Sequence, residues 1–88
     1  MSDWAAEQAM KSKKLNGNAK LVHLALAWDA DDDGVTPVVT HEDIAAFLGI
    51  GVTTVGASLK RLQDLRFIER VEHVPNAGTV YTLRNEAA

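Results

Sequence analysis

The sequence predicts an α+β domain, mostly helical, with an extra helix at its N-terminal end and a β-hairpin at its C-terminal end. Three observations carry that expectation. Apolar residues recur at helical spacing through most of the 88-residue chain, β-branched residues gather near its end, and Gly, Asn and Pro punctuate the boundaries. A chain this long forms one small core and leaves little room for a separately walled catalytic pocket.

Ser2 stands at an N-cap position for a first helix through Trp4, Ala5, Ala6, Ala9 and Met10. Asp3 and Glu7 lie toward its positive end, and Lys11, Lys13 and Lys14 toward its negative end. Asn16-Gly17-Asn18 is helix-breaking chemistry, so this helix is expected over 2–15. Asn18 is the expected cap of a second helix, in which Leu21, Leu24, Ala25 and Trp28 follow the i, i+3, i+4, i+7 pattern of a buried face. Core packing is the expected role of both tryptophans.

The second helix gives way to D-A-D-D-D-G-V-T-P, where Gly34 turns the chain and the acids oppose the helix dipole, so the run is expected to be frayed and solvated. Val38 and Val39 allow at most a small strand. T-H-E-D then opens a third helix over 40–48, a capping box with aspartate in place of glutamate. Its inward residues are Ile44, Ala45 and Leu48, and Gly49 supplies a left-handed C-terminus. After Ile50 and Gly51, the repeat of Val55, Leu59 and Leu62 predicts the longest helix, over 52–65. Segments 67–74 and 79–83 read as strands around the turn P-N-A-G, with Tyr81 and Leu83 closing over the core. The core domain is therefore 18–84, followed by a frayed tail over 85–88.

Composition excludes several function classes. The chain has no cysteine, so neither disulfides nor thiolate metal sites stabilise it. Its apolar run from Leu21 to Trp28 is broken by His23 and is too short to span a membrane, so a soluble, cytoplasmic protein with no membrane partner is expected. The acidic run begins like a calcium loop, D-x-D-x-D-G. Counting Asp29 as position one, however, puts Thr40 at twelve, where a bidentate glutamate belongs, and Glu42 arrives two residues late. His23, His41 and His73 fall in separate elements without an i, i+4 partner and are expected to be exposed or at the core edge, so no metal site is expected. No nucleophile, base and orienting acid converge, and the expectation is a protein that is not an enzyme and takes no cofactor.

The net charge of −3 conceals a sorted distribution, with acids concentrated in the middle and Lys60, Arg61, Arg66, Arg70 and Arg84 returning afterward. A helix, the turn L-G-I-G, an amphipathic helix and a hairpin is the order of a winged helix-turn-helix. The segments "KLVHLALAWDADDDG", "THEDIAAFLGIGVTTVGASLKRLQDLRFIERV" and "VYTLR" resemble the helix-turn-helix domains of phage and plasmid replication-initiation proteins and of small actinobacterial regulators. That resemblance covers 4–84 and implies double-stranded DNA binding through the second helix of the motif, helped by the wing.

In that family the positions of Val52, Thr53, Gly56 and Ala57 often carry long polar residues, and this chain departs from the pattern. Residues 53, 56, 57 and 60 share one helix face opposite Val55, Leu59 and Leu62. The expected DNA contacts are Thr40, His41, Val52, Thr53, Thr54, Gly56, Ala57, Lys60, Arg61 and Asn76. In this reading methyl groups meet thymine methyls, while Lys60 and Arg61 meet phosphates. Gly56 inside a helix costs on the order of 1 kcal/mol against alanine, so something should compensate for it. The alternative is a protein-contact module in which the small Thr53/Gly56/Ala57 face admits another helix. Because one small domain covers little DNA, a homodimer or cooperative oligomer is expected, with Trp4, Met10 and the N-terminal helix as its surface.

Overall fold

The T-H-E-D capping box forms as its spacing predicts, and it fixes where the helix-turn-helix begins. The Asp43 backbone N–H donates to Thr40 Oγ1 at 2.9 Å, and the Thr40 N–H donates to the Asp43 carboxylate at 3.3 Å. The computed structural model describes residues 2–12, 15 and 17–84. Within them the order is α1 (Asp3–Lys11), α2 (Gly17–Asp29), α3 (His41–Leu48), α4 (Val52–Asp64), β1 (Ile68–Val74) and β2 (Gly78–Leu83). Four helices followed by an antiparallel hairpin give the α+β class and the winged-helix arrangement expected.

The core is one cluster in which Val22 and Leu26 of α2 meet Val55, Leu59 and Leu62 of α4, and Phe67, Ile68, Tyr81 and Leu83 of the hairpin. β1 and β2 pair from Ile68 opposite Leu83 to Val74 opposite Gly78, with an irregularity between Arg70 and Glu72. The free edge of β2 is covered by the segment between α2 and α3. Thr36 N–H donates to Tyr81 O at 2.9 Å, Leu83 N–H to Gly34 O at 2.7 Å, and Val39 exchanges hydrogen bonds with Thr79. The small strand expected at Val38 and Val39 is thus reduced to bridges at Val35 and Val39. A covered edge leaves fewer unpaired backbone groups on the hairpin. No single helix among the described residues is long and apolar enough to cross a membrane.

Several local expectations require correction. The first helix ends at Lys11 with Ser12 as its C-cap, earlier than expected. Ser2 makes no side-chain cap; it is buried, and its backbone N–H donates to Ala27 O at 3.0 Å. Helix α2 begins at Gly17, which puts Asn18 inside the helix. Gly49 does take the left-handed conformation, with φ 72°. Helix α4 is 13 residues long, the same as α2. The expectations for Lys13, Lys14 and the tail over 85–88 lie outside the described residues.

The largest correction concerns α2. Its buried side chains are Ala19, Val22, His23, Ala25, Leu26 and Ala27, whereas Leu21 and Trp28 are exposed. The helix is apolar around most of its circumference, so the core takes a face beside the regular stripe and shares only Ala25 with it. His23, expected at the surface or core edge, is fully buried with its ring tilted against Phe67 at a centroid distance of 5.3 Å.

The acidic run is also more ordered than expected. The Asp31 carboxylate accepts from the N–H groups of Asp33 and Val35 at 2.9 and 3.0 Å, an Asx-type turn, and Trp4 Nε1 donates to Asp32 O at 3.0 Å. Gly34 is required here: its φ is +82°, and a Cβ would stand 2.5 Å from the Trp4 ring. Trp4 is half-buried and packs against the core cluster, so its expected packing role holds.

Candidate nucleic-acid interface

The chain bends by 108° between α3 and α4. That lies within the roughly 90–120° of helix-turn-helix pairs. Gly49 reverses the backbone, the half-buried Ile50 packs against the core, and Gly51 is the N-cap of α4. Val55, Ser58, Leu59 and Leu62 turn inward, which obliges the opposite face of α4 to look out. On that face Val52, Thr53, Ala57, Lys60 and Arg61 are exposed, while Thr54 and Gly56 are half-buried.

The expected contact residues divide between two open clefts. One, of about 390 Å³, lies between α4 and the start of α2 and gathers Thr53, Thr54, Ala57 and Arg61 with Asn18 and Ser58. The other, of about 400 Å³, lies between the start of α3 and the tip of the hairpin. It gathers Thr40, His41 and Asn76 with Glu42, His73 and Thr79. Val52 and Lys60 line neither cleft, although both are exposed.

Gly56 links the two regions. A Cβ built there would stand 3.6 Å from the His41 imidazole, so the space beside this glycine is occupied by a side chain of the same chain. This is ordinary van der Waals contact; an alanine would fit. His41 therefore borders the small face at Gly56 without requiring a glycine there.

Sequence reasoning missed Asn18, His73 and Thr79 as companions of the expected residues. Asn18 reads as a helix cap from the sequence alone, and no local pattern brings α2 to α4 or the wing to α3. His73 Nδ1 and Thr79 Oγ1 lie 3.1 Å apart across the hairpin, which fixes the imidazole beside the second cleft.

The charges are unevenly engaged. Lys60 pairs with Asp64 at 3.5 Å and Arg84 with Glu69 at 2.6 Å, both on the surface. Arg61, Arg66 and Arg70 form no ion pair among the described residues and remain available to an anionic ligand. Glu42 in the second cleft opposes such a ligand, so the cation supply is strongest on the Arg61 side. Among the described residues no group of three or more His, Asp and Glu side chains is placed to hold a metal ion.

Comparison with protein-family models, curated proteins and solved structures finds no match to this chain.

Proposed function

We propose that this protein binds double-stranded DNA, with α4 in the major groove and the hairpin alongside it. The observation that carries the reading is the exposed Thr53/Ala57/Lys60 face of α4, presented at the end of a 108° helix-turn-helix and bordered by the cleft that Thr53, Ala57 and Arg61 share with the start of α2. Small side chains on that face allow close approach to base edges, and their methyls suit thymine. Arg61 and Lys60 supply phosphate contacts that position the helix without reading sequence. The resemblance to replication-initiation and regulator domains points the same way. On this reading the protein acts in the cytoplasm as a transcriptional regulator, or as a replication- or partition-associated factor, rather than as an enzyme.

The rival reading assigns the same Thr53/Gly56/Ala57 face to a protein contact, which Ala57→Arg should disrupt while a major groove accepts its bulk. The test is selection of bound duplexes from a random library, followed by titration of the selected site at several salt concentrations. Lys60→Ala and Arg61→Ala should each weaken binding and reduce the salt slope by about 1. Absence of salt-dependent binding to any duplex at low salt would overturn the proposal.

A further inference from the structure

Helices α1, α2 and α3 enclose an open cleft of about 350 Å³ on a surface that shares no residue with either cleft of the candidate interface. Its walls include Met10, Leu21, Trp28 and Phe47, which are 66%, 43%, 59% and 63% exposed. The small side chains of Ala6 and Ala25 lie lower, half-buried and buried respectively. Among the described residues no charged or polar side chain lines it. A polar peptide or a charged ligand would therefore find nothing there to pair with.

We infer that this cleft is the homodimer interface, with a second copy of the chain as its occupant. Area is the first argument. A standard interface takes about 800 Å² from each partner, and homodimer interfaces are about 65% apolar, which calls for about 500 Å² of apolar surface per copy. Aromatic side chains bury about 150–250 Å² each, so Trp28 and Phe47 at their exposures, joined by Met10 and Leu21, offer on the order of 500 Å². Shape is the second. A two-fold contact must be self-complementary, and this patch holds projecting side chains and a depression together, so Phe47 of each copy can seat in the cleft of the other. The third argument comes from α2, which is apolar on nearly all sides. Such a helix is normally buried all round, and a second copy completes the burial that one chain leaves unfinished.

The inference does not rest on the DNA reading, and its test omits DNA. Sedimentation equilibrium of the 88-residue chain from about 1 μM to about 1 mM should show a reversible monomer–dimer equilibrium. Phe47→Glu should raise the dissociation constant by at least about 100-fold, since the two-fold removes two anchors at once. Trp28→Glu is the second variant, and circular dichroism at low concentration establishes that each keeps its helices. Val71→Glu removes an equally exposed apolar side chain from β1 and should leave the equilibrium unchanged. A monomer at about 1 mM would transfer the cleft to a helix of another protein and overturn the inference. So would a dimer indifferent to both cleft variants.

Discussion

Helices α2 and α4 are both 13 residues long and meet across the same core, yet they finish their outer faces differently. Helix α4 separates its side chains cleanly: Val55, Leu59 and Leu62 inward, Thr53, Ala57 and Lys60 outward. Helix α2 seals Val22, His23 and Leu26 into the core and leaves Leu21 and Trp28 on an open apolar cleft. Periodicity therefore identifies an apolar face without naming what covers it. A polar outer face suits solvent or a polyanion, whereas an apolar one calls for another apolar surface.

The strongest way to break the comparison is to truncate each face of α2 in turn. Leu26→Ala, on the sealed face, should cost about 2–5 kcal/mol of unfolding free energy. Leu21→Ala, on the open face, should cost about 1 kcal/mol or less in dilute protein. Urea denaturation at low concentration checks both, and comparable losses would mean that the open face belongs to the monomer's own core.

Around α4 the comparison sharpens on two glycines with opposite expectations. Gly49→Ala forces a side chain into a left-handed conformation at φ 72° and should cost about 1–2 kcal/mol. Gly56→Ala places a methyl at ordinary contact distance from His41 and should stabilise by about 0.4–1 kcal/mol. Thermal melts of the pair distinguish a glycine required by the turn from one that only leaves space.

The smallest effect concerns the hairpin. Burial raises the Tyr81 phenol above its ordinary value, opposed by a hydrogen bond with Thr79 and by the Arg70 charge. A folded-state value above the unfolded one gives stability that is complete below about pH 10 and is lost as pH rises through the folded value. Tyr81→Phe should flatten the alkaline part of the stability profile measured by urea denaturation from neutral to strongly alkaline pH.

Much of the fold was legible in the sequence because its signals are local. T-H-E-D specified the capping box, Gly49 the end of α3, the Val55/Leu59/Leu62 spacing the inner face of α4, and P-N-A-G the hairpin turn. The failures come from contacts between distant segments. Nothing near Asp31 announces that Trp4 will pack on Gly34 and help turn an acidic run into an ordered turn. The burial of His23 against Phe67 and the exposure of Trp28 depend on which side of α2 the other elements choose. The candidate site follows the same division: the outer face of α4 could be read, but its companions Asn18, His73 and Thr79 could not.

One contact of α1 bears on the order in which the chain assembles. The Gln8 side-chain amide donates to the Arg84 carbonyl at 2.7 Å, joining residues 76 positions apart. Such a closure becomes entropically cheap only after the intervening chain has condensed, so this tie closes after α1 has met its sequence neighbour α2. With two buried side chains against four in α4, α1 should exchange its backbone amides with deuterium through local opening while those of α4 wait for global unfolding.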